Sequence, residues 1–183
     1  MPIELPTRVL LLPGLGDSGP EHWQSYWERG DPSCTRVRQE EWDRPRCRDW
    51  CKRLESAVQE SACPVVLCGH SSACALVCHW AATAPRASLA KVRGALLVAP
   101  SDPEGPAYPP GPTGFSPVPM MPLPFPSTVV ASTDDAYVTV ERAGEYARAW
   151  GSRLVILTAA GHINSASALG EWSAGQALLD ALR

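Results

Sequence analysis

No run of about 18 consecutive apolar residues occurs in this chain, so no segment has the length to span a membrane as a helix. Cys-x-x-Cys pairs are also absent, and the seven cysteines are an odd number. A disulfide framework and a zinc site are therefore not expected. Cys47 and Cys51, like Cys74 and Cys78, sit four apart among apolar helical positions and read as small buried hydrophobes. Charge of one sign is missing too. Sixteen basic residues stand against nineteen acidic ones, a net charge of -3. That balance offers nothing to nucleic acid or to an anionic membrane. The opening Met1-Pro2-Ile3-Glu4-Leu5-Pro6 lacks the basic start and apolar middle of a signal peptide. The expectation is a cytoplasmic protein that needs no metal or organic cofactor, with no protein partner indicated.

What is present fits one domain over residues 1–183, with 45% hydrophobic and 19% charged residues. Six β-rich runs alternate with helical patterns: Arg8–Pro13, Thr35–Trp42, Pro64–Cys68, Val92–Ala99, Ser127–Ser132 and Arg153–Thr158. Most are continuously apolar, as strands covered on both faces must be. Between them lie helical stripes. Trp23, Tyr26 and Trp27 share one face, with Gly30 as a stop. Cys47, Trp50, Cys51, Leu54 and Val58 form a second stripe, and residues 73–84 are apolar nearly all round. Ala143, Tyr146, Ala147 and Trp150 form another, ended by Gly151, and Trp172, Leu178, Leu179 and Leu182 suit a closing helix. The alternation predicts an α/β three-layer sandwich of about six mostly parallel strands with helices on both faces.

Residues 101–126 break the pattern with ten prolines and three glycines. The segment leaves the C-terminal end of the fourth strand, the edge where open α/β sheets bind ligands. It reads either as a rigid connector or as a wall of the site, with Phe115, Met120, Met121, Leu123 and Phe125 as an apolar inner face.

The stretch Cys68-Gly69-His70-Ser71-Ser72-Ala73 carries the chemistry. An apolar strand precedes it and an apolar helix follows, the layout of a nucleophile elbow. A serine hydroxyl needs a base, and that base needs an orienting carboxylate. Of four histidines, His162 follows the last strand and exits on the same sheet edge as Ser71. His79 lies in an apolar helix, and His70 is too close in sequence to swing onto Ser71. His22 follows the first loop and reads as either a pocket residue or a surface one. The acid is expected after the fifth strand, at Asp134 or Asp135, with Asp135 preferred. The order Ser71, Asp135, His162 is that of an α/β-hydrolase. Backbone N–H groups of Leu15 and Ser72 are the expected oxyanion donors. Substrate-pocket candidates are His22, Phe115 and Met120.

The first loop holds a rival. Gly14-Leu15-Gly16-Asp17-Ser18-Gly19 is a Gly-x-Gly-x-x-Gly run, with Glu40 and Glu41 about 20 residues on, as in a dinucleotide fold. Against this, Asp17 would place negative charge beside a pyrophosphate. Ser18 and Glu21 instead resemble an ordinary capping box.

The chain resembles the small cap-less α/β-hydrolases of the YdeN and retinoblastoma-binding-protein-9-like serine hydrolase family. The residues responsible are Leu12-Pro13-Gly14-Leu15-Gly16-Asp17-Ser18 with Glu21-His22-Trp23; Trp42-Asp43-Arg44-Pro45; Gly69-His70-Ser71; Pro122-Leu123-Pro124-Phe125-Pro126; Ser132-Thr133-Asp134-Asp135-Ala136-Tyr137; and Gly161-His162-Ile163-Asn164. The resemblance implies Ser71 as nucleophile, Asp135 as acid and His162 as base, and makes the proline-rich loop a family feature. Ala73 and Ala136 stand where glycine and proline are more usual. The expected function is hydrolysis of a small carboxylic ester, or secondarily an amide, on a small-molecule acyl substrate. The alternatives are a non-catalytic binding protein of the same fold and a dinucleotide-binding protein using the glycine loop.

Overall fold

The structure is a computed structural model that describes residues 6–183. Residues 1–5, including most of the opening segment read for signal-peptide character, lie outside the described residues. Six strands form one sheet: β1 (Arg8–Leu12), β2 (Cys34–Arg36), β3 (Val65–His70), β4 (Val92–Val98), β5 (Ser127–Ser132) and β6 (Arg153–Leu157). Their spatial order is β2-β1-β3-β4-β5-β6, and every neighbouring pair is parallel. The helices are α1 (Trp23–Gly30), α2 (Cys47–Glu60), α3 (Ser72–Thr83), the short α4 (Arg86–Leu89), α5 (Val140–Trp150) and α6 (Ser173–Asp180).

Strand side chains alternate between two faces, so a continuous apolar run serves two cores at once. Leu10, Val65, Leu67, Leu97 and Val129 pack with Trp50, Leu76 and Trp150 of α2, α3 and α5. Val9, Leu11, Val66, Cys68 and Leu96 pack instead with Trp23 and Trp27 of α1 and Leu179 of α6. The result is the expected α/β-hydrolase sandwich of three layers. Helix ends follow local chemistry. Thr139 caps α5 by accepting the Arg142 N–H, and Gly151 ends it at φ 70°.

Two elements differ from expectation. β2 is three residues long and starts at Cys34, not the longer Thr35–Trp42 run. Val37 N–H still reaches Leu11 O at 2.9 Å, but the polar run from Arg38 to Glu41 then leaves the sheet. Trp42 turns inward and its ring packs edge-on against Trp50 at 5.7 Å. The start of α1 also moves. His22, not Ser18, is its N-cap, with Nδ1 accepting the Gln24 N–H at 3.2 Å. Ser18 Oγ instead donates to Gln24 Oε1 at 2.7 Å.

Residues 99–126 contain no helix and no strand beyond one isolated bridge between Thr113 and Arg46. The chain after β4 is therefore an irregular strap and not a helical cap; its first residues line the C-terminal edge, and Phe115, Val118 and Phe125 pack on the layer of α2, α3 and α5. The strap is pinned from below. His79 Nε2 donates to Phe115 O at 2.9 Å, and Trp150 Nε1 donates to Pro119 O at 2.9 Å.

Candidate active site

The chain runs from β1 to β2 on one side of the sheet, then crosses back to β3 on the other. The strand order reverses between β1 and β3, and a crevice opens there at the C-terminal edge. Ser71 stands at that point, one residue beyond β3. Its backbone lies at φ 60°, ψ -127°, a strained conformation that turns the chain from strand into α3 within one residue. Small neighbours make the turn feasible. A Cβ on Gly69 would lie 3.2 Å from Ala73 O, where strand and helix cross. A Cβ on Gly14 would lie 2.7 Å from Ser71 Cβ, so the β1 loop rests directly on the serine.

Ser71 Oγ is 2.8 Å from His162 Nε2. On the far side of the ring, His162 Nδ1 lies 2.8 and 2.9 Å from the two carboxylate oxygens of Asp135. The Asp135 side chain has no solvent exposure. A carboxylate on Nδ1 fixes that nitrogen as the N–H donor and leaves Nε2 to accept from the serine hydroxyl. The three residues predicted from β3, β5 and β6 thus meet in one hydrogen-bonded line. Asp134, the other aspartate, accepts from Ser132 Oγ at 2.8 Å and from Gly161 N–H at 2.7 Å. It ties the β5 exit to the loop carrying His162.

That loop has further supports. Ala160 N–H donates to Ser132 Oγ at 2.9 Å, and His70 Nε2 donates to His162 O at 3.0 Å. His70 therefore braces the base, in keeping with its position too near Ser71 to serve as one. Burial holds the His70 imidazole well below its ordinary pKa, with His22 and His162 adding to the effect. His22 is buried at 3% exposure and lines the cavity over Ser71. Burial first, then Arg36 and His162, push its pKa down to about 4. Both imidazoles are neutral at pH 7 and present no fixed charge to His162.

The cavity holds about 410 Å³ and is lined by Ser71, His162, Leu15, Ser101, Tyr108 and Tyr137, among others. Two pocket candidates lie elsewhere. Phe115 is buried in the core, edge-on to Trp50 at 5.5 Å, because the strap turns it toward α2. Met120 faces solvent at 47% exposure. The strap meets the site through its first residues. Ser101 Oγ lies 2.7 Å from Ser71 Oγ, and Tyr108 OH lies 3.0 Å from Ser72 Oγ. Sequence reasoning missed both, although Ser101 leaves β4 at the very edge that located the others. It also missed Gln24, fully buried in α1. The Gln24 amide donates to Leu12 O and Cys68 O, tying the ends of β1 and β3 together beneath the elbow. No sequence signal marks it.

The glycine loop serves the serine elbow: Gly14 is seated on Ser71. Asp17 pairs with Arg36 at 2.7 Å, and Glu41 Oε1 accepts the Asp43 and Arg44 N–H groups in a local turn. Among the described residues no three His, Cys, Asp or Glu side chains group to hold a metal ion. Likewise, no described helix is long and apolar enough to cross a membrane.

A family model described as serine hydrolase matches residues 9–181. The chain belongs to the serine hydrolase family. Among solved structures, a YdeN-like hydrolase from Pectobacterium atrosepticum is 33% identical, with a TM-score of 0.84 over 96% of this chain and 90% of that one. The ydeN gene product of B. subtilis is 16% identical, with a TM-score of 0.73 over 97% and 98% of the two chains. A type II thioesterase, BorB, from the borrelidin biosynthetic cluster, shares the fold at 16% identity, with a TM-score of 0.63 over 97% and 93%. No curated protein matches the chain in sequence. The family and the 33% identical structure make this serine hydrolase a small α/β-hydrolase of the YdeN-like group. It is a hydrolytic enzyme.

Proposed function

We propose that this serine hydrolase cleaves small carboxylic esters through an acyl-enzyme on Ser71. The observation that carries the reading is the unbroken line from Ser71 Oγ through the His162 ring to Asp135. Ser71 Oγ attacks the ester carbonyl carbon as its proton passes to His162 Nε2. Asp135 orients the ring and stabilises the imidazolium. His162 then returns the proton to the departing alcohol. Water attacks the acyl carbon with His162 again as base, and the acid leaves.

The tetrahedral oxyanion needs donors that are in place beforehand. The Ser72 N–H opens α3, where helix N–H groups are free, and the Leu15 N–H lies on the loop that rests upon Ser71. Among the described residues, no protein acceptor takes either N–H. Loss of one such donor costs about 3 kcal/mol of transition-state stabilisation.

A cavity of about 410 Å³ with many hydroxyl and imidazole groups fits a short, polar acyl ester better than a long aliphatic one. Seven free cysteines suit a reducing, cytoplasmic setting. The test is hydrolysis of p-nitrophenyl acetate and longer homologues by wild type and Ser71→Ala. The reading predicts a burst of one p-nitrophenol per chain, turnover that falls with acyl length, and loss of both in the variant. Turnover retained in Ser71→Ala contradicts it. A folded wild type that binds these esters and turns over none of them favours a binding role.

A further inference from the structure

We propose that Ser101 is a catalytic hydrogen-bond donor to the nucleophilic oxygen itself; this rests on Ser71 being the nucleophile. Ser71 Oγ has two partners within the protein, His162 Nε2 at 2.8 Å and Ser101 Oγ at 2.7 Å. The hydroxyl has one proton, and that proton points to the base. Ser101 must then be the donor in the second contact, filling a lone pair of Ser71 Oγ.

A donor in that place acts whenever charge grows on Oγ. During acylation Oγ gives its proton to His162 while it bonds to the acyl carbon. During deacylation the bond between the acyl carbon and Oγ breaks, and Oγ departs with the electron pair until His162 returns the water's proton. Ser101 keeps its own proton throughout and stabilises Oγ at both moments. Such an aimed, buried donor acts without reorganising. Ser101 is 4% exposed.

Its support is rigid. Ala99 N–H donates to Val130 O at 2.7 Å, and Asp102 N–H donates to Tyr137 O at 3.1 Å, so the chain is held on both sides of Ser101. The Asp102 carboxylate accepts from Tyr146 OH at 2.9 Å and from Arg142 Nε at 3.2 Å. The hydroxyl is therefore carried on a braced segment that joins the sheet edge to α5. The start of the proline-rich strap thereby contributes a group to the reaction.

The experiment compares wild type, Ser101→Ala and Ser101→Thr. Phosphonylation by a fluorophosphonate with mass mapping comes first, followed by burst kinetics on p-nitrophenyl acetate. Expected are labelling of Ser71 in all three and a rate reduced about tenfold or more in Ser101→Ala. The burst and the steady-state rate fall by similar factors, with KM little changed, and Ser101→Thr recovers most of both. Labelling and both phases at wild-type rates in Ser101→Ala overturn the role of Ser101 while leaving Ser71 as nucleophile. A KM effect alone, or no recovery with threonine in a variant whose circular dichroism is native, also overturns it. Wild type that fails to label at Ser71 removes the nucleophile, and this proposal with it.

Discussion

Trp23 donates its indole N–H to the carbonyl oxygen of Ile163 at 2.8 Å, joining the first turn of α1 to the residue after His162. Ile163 is fully buried and sits at φ 47°, a conformation that a β-branched residue rarely adopts. The contact with Trp23 helps hold it there. The position of the base thus depends on a helix that follows β1, far away in sequence. Trp23→Phe keeps most of the ring but removes the donor. It is expected to lower stability by about 1–3 kcal/mol and to reduce kcat more than it changes KM. Denaturant unfolding and steady-state kinetics on one ester check both effects.

The two adjacent aspartates separate by role. Asp135→Asn leaves the shape intact but disturbs the tautomer of His162, and kcat is expected to fall by about 10⁴. Asp134→Asn weakens the tie to the Gly161 N–H without touching the ring, so a loss of about tenfold or less is expected. Parallel kinetics on the two variants distinguish the assignments, and the reverse order of severity contradicts them.

Gly14 has no space for a side chain. In Gly14→Ala the new Cβ would stand 2.7 Å from Ser71 Cβ and 3.0 Å from His70 O, both parts of the elbow. The loop must shift, and the Leu15 N–H with it. A fall in kcat/KM of about 100-fold is expected, consistent with the loss of an oxyanion donor. An enzyme of normal activity would show that the loop is not held against the serine.

The buried imidazoles set an acid limit on stability. His22 binds its proton near pH 4 in the folded chain and near 6.5 when unfolded. Its lowered pKa means the unfolded state takes up protons first as pH falls through 6.5. Stability therefore drops between pH 6.5 and about 4 and is restored at higher pH. From pH 7 to pH 5 the loss from His22 alone is about 2 kcal/mol. His70, shifted in the same direction by burial, steepens it. Urea unfolding across this range, with His22→Asn as the variant that keeps a capping acceptor, should show a flatter slope in the variant.

Much of this was legible from the sequence because buried parallel strands write themselves as apolar runs, and their C-terminal ends locate chemistry without knowledge of the loops. Ser71, Asp135 and His162 each follow such a run. The strap was not legible. Its residues have no period, and their directions are set by distant partners such as the His79 ring on Phe115 O and the Trp150 indole on Pro119 O. Phe115, expected in the pocket, is therefore in the core, while Tyr108 reaches the site. β2 was overextended because an edge strand with one neighbour needs few residues, and the charged run after it carries no signal for where pairing stops. Gln24 was invisible because a polar residue inside a short helix looks like surface until its two strand-end acceptors are seen.

The central claim is that Ser71 is an activated nucleophile. The most direct measurement is covalent labelling of the purified protein by a fluorophosphonate, with the adduct mapped by mass spectrometry. A single adduct on Ser71 is predicted, absent in Ser71→Ala and slowed at least 100-fold in His162→Ala. No adduct on Ser71, under conditions where a reference serine esterase labels fully, contradicts the claim.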